Sequence, residues 1–205
     1  MPIYRNGVGF LLFAILINSV FAQTAGSKQN IVQIDEKIHD TFQDIYKNER
    51  VQWALEQIEL REPSALEEQF AMTEIPAPPF KEDVRAAYFL EQLKLRGLED
   101  SYIDIEGNVI GVRAGESPGA EPPLLIAAHL DTVFPEGTDT TVQLRGGRYY
   151  APGIGDDTRG LAAILTIVDV LNDSEIRTVR DIMFAGNVGE EGRGDLRGIK
   201  QIFKD

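Results

Sequence analysis

The sequence has no cysteine, few basic residues and only two histidines, His39 and His129. Without cysteine the chain cannot form a disulfide bond and has no cysteine to which a lipid could be attached. The 20 Lys and Arg are outnumbered by 33 Asp and Glu, which gives a formal net charge of −13. Nucleic-acid binding depends on clustered basic residues, so nucleic acid is excluded as a partner. We attribute the acidity to solubility.

What the sequence does contain is typical of a globular protein. Hydrophobic residues make up 43% of the 205 residues and charged residues 26%, a balance that predicts one domain with a sizeable core. Neither internal repeats nor low-complexity segments are present. The chain is therefore neither fibrous nor intrinsically disordered.

The first 22 residues have the pattern of a secretory signal peptide. Arg5 precedes the apolar stretch VGFLLFAILINSVFA, and Val20 and Ala22 have the small-x-small spacing of a cleavage site. The stretch is shorter than the about 20 apolar residues of a membrane span, although an uncleaved anchor is the alternative. We therefore expect a mature chain that begins near Gln23, is secreted or periplasmic, and is not stably inserted in a membrane.

Apolar spacing predicts helices in the first half of the chain and strands in the second. Helical spacing covers residues 31–60 and 81–95, and the prolines of EIPAPPF (74–80) between them exclude both a helix interior and a central strand. The later expected elements are two hairpins (102–112 and 142–150), two fully buried strands (124–128 and 182–185), an apolar helix (160–171) and the start of another (195–203). Strands that alternate with helices predict an α/β fold with a mainly parallel sheet, a helical face and hairpins at an edge.

Three short acidic segments follow or join apolar runs in the second half of the chain: HLDT (129–132), GIGDD (153–157) and GEEG (189–192). Ligands gather at the carboxyl ends of strands in α/β sheets, so three such segments together indicate one metal site. A neutral His129 imidazole is a common metal ligand, and the Asp131 carboxylate can accept a hydrogen bond from its other ring nitrogen. A hydrogen-bonded structural histidine is the alternative.

The paired acids of the other two segments also have simpler explanations. An aspartate at a helix start caps free N–H groups, but only one of Asp156 and Asp157 is needed for that task. Two neighbouring carboxylates repel each other unless a cation offsets their charge. Glu190 and Glu191 in extended backbone point to opposite sides, so one can bind metal while the other faces substrate. A solvated charge pair on a loop is the alternative.

At these positions the chain resembles a known family, the co-catalytic zinc metallopeptidases of clan MH, which include peptidase T, the glutamate carboxypeptidases and the aminoacylases. The segments similar to its three signatures are LLIAAHLDTVFP, APGIGDDTRG and AGNVGEEGRGDLRG. Upstream, EIPAPPF and IDIEGNVIGVR resemble peptidase T-like members, so the resemblance covers residues 75–203. The family also implies a cis peptide bond between Asp156 and Asp157.

The resemblance implies a role for each acidic segment. It implies that His129 ligates one zinc ion, with Asp131 as its hydrogen-bonding partner. Asp156 is implied as a carboxylate that bridges two zinc ions. Glu190 is implied as the general base, and Glu191 as a further zinc ligand. In such sites two zinc ions lower the pKa of water and polarise the scissile carbonyl, while a neighbouring carboxylate takes the proton.

A complete site of this family needs more ligands than these. The resemblance implies two zinc ions, with cobalt or manganese as alternatives, and a second histidine and a further carboxylate beyond the glutamate pair. His39 lies on the predicted N-terminal helix, where we expect an exposed residue. We therefore expect an incomplete three-layer zinc-peptidase catalytic domain, without the lid domain through which such enzymes form homodimers.

These observations lead to a domain organisation and a hypothesis for function. We expect a signal peptide at 1–22, an N-terminal helical segment at 23–74 and the N-terminal part of the catalytic domain at 75–205. The leading hypothesis is a zinc-dependent exopeptidase that releases terminal residues from short peptides, truncated here and inactive alone. The alternatives are a non-catalytic binding or partner module of the same fold and a zinc N-acyl amino acid hydrolase.

Overall fold

The computed structural model describes residues 35–204. The predicted signal peptide and the beginning of the predicted N-terminal helical segment lie outside the described residues. The chain divides into two compact units, Met1–Phe42 and Gln43–Asp205, and the described part of the first unit belongs to a single helix. Within residues 35–204 every helix is too short or too polar to cross a membrane.

The elements follow the expected order, with helices first and strands later. The helices of the described residues are α1 (Glu36–Lys47), α2 (Glu49–Leu60), α3 (Glu62–Thr73), α4 (Asp83–Leu95), α5 (Thr158–Asp173) and α6 (Arg197–Ile202), with a 3-10 turn at Gly192–Gly194. The strands are β1 (Tyr102–Ile103), β2 (Val109–Arg113), β3 (Leu124–His129), β4 (Gln143–Arg145), β5 (Arg148–Tyr150) and β6 (Ile182–Asn187). The proline loop, residues 74–80, contains neither helix nor strand, as its prolines predict.

Four strands form one mixed sheet in the order β1-β2-β6-β3. β3 and β6 are parallel, whereas β2 is antiparallel to both β1 and β6. The prediction of an α/β fold is confirmed, but among the described residues the sheet is mixed rather than mainly parallel. The connections explain the difference, because a short turn joins β1 to β2, while helix α5 lies in the crossover that parallel β3 and β6 require.

β6 is an interior strand of this sheet. Its sequence IMFAGN is buried along almost its full length, as expected of a strand with neighbours on both sides. The prediction that β3 is a fully buried strand was wrong, because β3 lies at the edge of the described sheet and Leu124 is 54% exposed. Its buried part is the carboxyl end, Ala128 and His129, which is where the site begins.

The hydrophobic core lies where helices α4 and α5 pack against the sheet. The apolar residues of α5 recur at helical spacing, and the face that they form is buried against β3. Helix α4 covers β2 in the same way. The largest fully buried apolar side chains of this core are Met72, Phe89, Leu93, Val109, Leu130, Leu161, Ile164, Leu165, Val168, Phe184 and Val188.

Helix α4 buries a different face from the one that its apolar spacing predicts. The spacing of residues 81–95 predicts Val84 on the inner face, but Val84 is 67% exposed, whereas Arg85 is fully buried beside Phe89. The arginine is tolerated inside because backbone carbonyl oxygens accept hydrogen bonds from its guanidinium. The hydrophobic pattern alone could not reveal that an arginine lies on the buried face.

The second predicted hairpin is confirmed as a separate two-stranded sheet, β4 paired with β5. Gly146 and Gly147 form its turn with φ values of 55° and 75°, and the type I′ turns of such hairpins need positive φ at both positions. Both strands are exposed. The ring of Tyr149 contacts that of Phe70 in helix α3, with 4.6 Å between their centroids.

Candidate metal centre

The three acidic segments meet at one edge of the sheet. His129 ends β3 and pairs in register with Asn187, which ends β6, so the loops that follow both strands leave from the same edge. The remaining segment, GIGDD, lies at the amino end of helix α5, where Asp157 is the N-cap residue. In open α/β sheets this carboxyl edge is where ligands bind.

Three of the predicted site residues converge on one point. Nε2 of His129 lies 2.8 Å from Oδ1 of Asp156, and ligand atoms of His129, Asp156 and Glu191 all lie within 4.8 Å of one another. A zinc ion holds nitrogen and oxygen ligands at about 2 Å, which places the ligand atoms of one ion roughly 3 to 4 Å apart. The donor types suit one such cation, and the ligand atoms lie close to the spacing that it needs.

The imidazole of His129 is held in the orientation that a metal ligand needs. Its Nδ1 lies 3.0 Å from the backbone carbonyl oxygen of Asp131, and because a carbonyl only accepts, Nδ1 is the donor. Nε2 is then the atom that faces Asp156. Burial lowers the pKa of His129, but the hydrogen bond to Asp156 and the charge of Asp131 outweigh burial and raise it above its ordinary value. The pocket is thus anionic enough to favour a cation.

The carboxylate of Asp131 has a different task from the predicted one. Its Oδ1 lies 3.7 Å from Nδ1 of His129, too far for the predicted hydrogen bond, which the backbone carbonyl makes instead. Both carboxylate oxygens accept backbone N–H groups, those of Glu190 and Glu191, each at 2.9 Å. Asp131 is fully buried. It therefore fixes the loop that carries both glutamates, residues 188–196 (the glutamate loop), next to His129.

The two neighbouring aspartates have separate tasks. A cis peptide bond joins Asp156 to Asp157, as the family resemblance implies. Asp157 caps helix α5, and its carboxylate accepts the backbone N–H of Gly160 at 3.0 Å and of His129 at 3.2 Å. Burial raises the pKa of Asp157, against the effect of those two donors. The capping explanation therefore applies to Asp157 and leaves the exposed Asp156 carboxylate for a cation.

The two glutamates of the loop also differ. Glu191 is partly buried and belongs to the cluster with His129, whereas Glu190 is exposed and outside it. Burial raises the pKa of Glu191, and the charges of Asp156 and Glu190 raise it further. His39 is exposed on α1, as predicted, so within the described residues His129 is the imidazole of this cluster.

The sequence did not indicate two arginines whose hydrogen bonds and ion pairs hold the segments around the site. Arg85 of α4 donates hydrogen bonds to the carbonyl oxygens of Ile75 and Leu130. Arg197 of α6 forms an ion pair with Glu82 at 3.0 Å. In the sequence each is a charged residue within a helical pattern, and such residues are mostly exposed. The one available signal was that these charges lie among apolar neighbours.

Residues 125–205 match the sequence profile described as peptidase family M20/M25/M40. This segment is similar to that family. The match contains the strand before His129 and both later acidic segments, so the resemblance seen in the three signatures is confirmed.

Two known relatives of this chain are longer proteins. A Pyrococcus abyssi protein provisionally named LysW-lysine/LysW-ornithine hydrolase is 34% identical over 121 residues, which cover 59% of this chain and 32% of that protein. A Pyrococcus furiosus protein of the same name is 31% identical over the same shares. The chain thus spans about a third of the length of these relatives.

Two solved structures have a fold similar to that of this chain. The aminopeptidase PepT from Bacillus cereus superposes with a TM-score of 0.53 at 21% identity, covering 62% of this chain and 36% of that one. The dipeptidase Dug1p from Saccharomyces cerevisiae superposes with a TM-score of 0.59 at 16% identity, covering 74% and 36%. At this level of identity the likeness concerns the fold.

The glutamate loop leaves no room for a side chain at Gly194. A Cβ atom there would lie 2.5 Å from the backbone of Gly189, so Gly194→Ala must displace the backbone next to the two glutamates. We expect it to lower the free energy of unfolding by about 1–3 kcal/mol and to weaken metal binding. The matched control is Gly155→Ala, because the position of its Cβ is open although it adjoins Asp156. Urea unfolding and cobalt titration measure both effects, and equal losses in the two variants would contradict the prediction.

Proposed function

We propose that this chain provides the metal-binding core of a zinc-dependent exopeptidase-type amide hydrolase that acts on short peptides. The observation that carries the proposal is the convergence of His129, Asp156 and Glu191 at the carboxyl edge of the sheet. The family match of residues 125–205 supports it, and so do the Pyrococcus relatives, whose names describe hydrolases.

Zinc is the metal that we propose for this site. One imidazole and two carboxylates are donors that zinc accepts, and three protein ligands leave one coordination position open, as in catalytic zinc sites. Cobalt and manganese accept the same donors, and a titration with each metal ranks them. When bound, zinc supplies a Lewis acid that lowers the pKa of water and polarises the scissile carbonyl.

Residues of the chain orient the metal ligands and accept the proton. His129 is held by the carbonyl of Asp131, so its Nε2 stays directed at the metal position. Glu190 is exposed directly next to the ligand Glu191, and we assign to it the general base that takes the proton from the attacking water. Asp131 holds both glutamates through their backbone N–H groups. The proton acceptor and the ligand are thereby fixed as one unit.

The number of ligands limits what the chain does by itself. The cluster within the described residues offers three ligands, enough for one ion, whereas a two-ion centre needs more. We therefore expect the chain to bind one zinc ion and to hydrolyse peptides slowly or not at all. The further ligands of a two-ion centre are part of the proposal for the whole protein.

The first test concerns metal binding. Glu191→Gln removes one ligand and is expected to weaken zinc affinity by at least about 100-fold, since losing a mere hydrogen-bonding partner of a ligand already costs ~10- to 100-fold. Asp195→Asn removes an acid four residues away that is 85% exposed and paired with Lys200, and it should bind zinc like the wild type. Calorimetric titration of the metal-free proteins measures both. Equal affinity of wild type and Glu191→Gln would refute the site.

The second measurement concerns hydrolysis. The zinc-loaded chain is incubated with dipeptides, tripeptides and N-acyl amino acids, and release of free amino acids is followed. We expect little turnover, and we expect any that occurs to prefer peptides and to disappear in Glu190→Gln. Rapid turnover that Glu190→Gln abolishes would show that the site is complete without further ligands. Turnover that persists in Glu190→Gln would contradict the proposed general base.

We also propose that residues 1–22 direct the protein out of the cytoplasm, to the periplasm or the medium. The support is the basic start, the apolar stretch and the small-x-small spacing of Val20 and Ala22. Expression of the full chain in a bacterium, followed by fractionation and amino-terminal sequencing, tests it. We expect an exported protein that starts near Gln23, and an intact amino terminus in the cytosol would contradict this.

A further inference from the structure

Arg85 is a fully buried charge behind the metal centre. Its Nε and Nη2 donate to the carbonyl oxygen of Ile75 at 3.1 and 2.6 Å, and its Nη1 donates to that of Leu130 at 2.7 Å. Within residues 35–204 no carboxylate forms an ion pair with this guanidinium. Burying such a cation is unfavourable, so its position calls for a physical reason.

The bond to Leu130 fixes the peptide between two residues of the site. Leu130 follows His129 and precedes Asp131, so its carbonyl belongs to the peptide plane that leads into Asp131. The N–H of Leu130 donates to the carbonyl oxygen of Asn187 at 2.7 Å. Both polar groups of this buried residue are therefore bound, one by β6 and the other by Arg85.

Asp131 links the peptide that Arg85 binds to the metal ligands. Its carbonyl oxygen holds Nδ1 of His129, and its carboxylate holds the N–H groups of Glu190 and Glu191. A shift of the peptide that Arg85 binds therefore moves the imidazole and the glutamate loop together. One buried side chain thus influences the positions of two segments that are distant in sequence.

The charges of Arg85 and Asp131 also compensate each other. Burial lowers the pKa of Arg85 to about 10, and the negative charge of Asp131 opposes this shift. Both side chains are fully buried, and charges that water does not screen act over longer distances than exposed ones. The carboxylate that binds the glutamate loop and the guanidinium of Arg85 therefore attract each other inside the protein.

Arg85 connects the proline loop to the site as well. Ile75 belongs to this loop, and two residues later the carbonyl oxygen of Ala77 accepts the backbone N–H of Thr132 at 3.0 Å and its hydroxyl at 3.2 Å. The loop is thus bound to α4 through Arg85 and to the residue that follows Asp131. Residues 129–132 are held from both sides by these bonds.

We propose that Arg85 is a positioning residue of the metal centre, which holds the Leu130 carbonyl and the proline loop so that His129 and Glu191 present their ligand atoms to one ion. The inference rests on the proposed function for the identity of the bound ion. It predicts an effect on the site that exceeds any effect on the stability of the fold.

Arg113 provides a matched comparison for this distinction. Its Nη2 also donates to two backbone carbonyl oxygens, those of Leu171 at 3.3 Å and Ile176 at 2.7 Å. It pairs with Ile182 at the start of β6, five residues from the carboxyl end, or about 16 Å along the strand. Arg113 therefore supports the fold in the same chemical way but away from the site.

The experiment compares Arg85→Met with Arg113→Met in the full chain. Both changes keep an unbranched side chain and remove the guanidinium. Hydrogen exchange of the Glu190 and Glu191 amides is measured by NMR without metal, relative to the amide of Phe184, which reports global unfolding. Cobalt affinity is measured by visible absorption. For Arg85→Met we expect hydrogen exchange to become faster selectively at the amides of both glutamates. We also expect its cobalt affinity to be weakened by about 10- to 100-fold. For Arg113→Met we expect neither change.

Arg85→Lys is the second variant, which tests the proposal if Arg85→Met does not fold. Lysine keeps the charge opposite Asp131 but cannot bind two carbonyl oxygens with a planar fork, so its exchange rates and affinity should be intermediate. Wild-type exchange and affinity in the Arg85 variants would overturn the proposal, and so would equal changes in Arg113→Met. If the wild type binds no cobalt, the proposed function fails, while the amide exchange still decides the role of Arg85.

Discussion

Replacing Asp131 with asparagine is expected to lower the free energy of unfolding by about 3 kcal/mol and to weaken zinc affinity by about 10- to 100-fold. Asparagine has nearly the same shape as aspartate, so the loss arises from charge and hydrogen bonding rather than from packing. It is the largest effect on stability that we expect from any change of a single polar group in this chain.

The physical reason lies in the two N–H groups that the Asp131 carboxylate accepts. The backbone N–H groups of Glu190 and Glu191 each donate to one carboxylate oxygen at 2.9 Å. An amide has one oxygen and one NH₂ group, so one of the two donors would face another donor inside the protein. The negative charge that compensates buried Arg85 is lost as well.

The control for this prediction is Asp181→Asn. The Asp181 carboxylate also accepts two backbone N–H groups, those of Gly115 at 2.7 Å and Gly119 at 3.1 Å, but it precedes β6 at the end remote from the site. Urea unfolding and calorimetric zinc titration of both variants separate stability from metal binding. We expect Asp181→Asn to lose stability and keep its affinity, and an unchanged affinity in Asp131→Asn would contradict the prediction.

Phe184→Ala is expected to lower the free energy of unfolding by about 4 kcal/mol, within the range typical of a fully buried phenylalanine. Phe184 is fully buried in β6, opposite Gly111 of β2 and Ile126 of β3. Removing its ring leaves a cavity between both neighbouring strands and the helices. A loss of this size is a large part of the total stability of a typical domain.

Phe203→Ala is the matched control, because Phe203 is the same residue type and is 78% exposed. Its replacement should change the free energy of unfolding by no more than about 0.5 kcal/mol. Urea denaturation followed by circular dichroism measures both variants. A loss below about 1 kcal/mol in Phe184→Ala would show that the core closes over the missing ring, contrary to the close packing inferred here.

The order of the elements was predictable because it depends on local patterns. The spacing of apolar residues in α5 and the Gly146–Gly147 turn each predict one element from a few neighbouring residues. The arrangement of the strands was not predictable in this way. β2 lies next to β6, which is far away in the sequence, and no local pattern specifies such a pairing.

The same distinction applies to the site. The residue types and their places at element ends predicted that His129 would meet one aspartate of the second acidic segment and one glutamate of the third. The family resemblance implied that these are Asp156 and Glu191. Which atom of Asp131 binds His129 depends on the position of the glutamate loop, a long-range contact. Arg85 could not be found, since an arginine in a helix is ordinarily solvent-exposed and its carbonyl partners belong to distant segments.

We expect the metal centre to form late in folding, because it depends on the parallel pairing of β3 with β6. A hairpin and the 16-residue helix α5 lie between His129 and Glu191, and such distant segments meet slowly because loop closure must precede their contacts. Zinc that binds the native state and not the unfolded chain stabilises it by about 2.7 kcal/mol at 100 times its Kd. Metal supply would then control the fraction of chains that escape proteolysis, besides any effect on turnover.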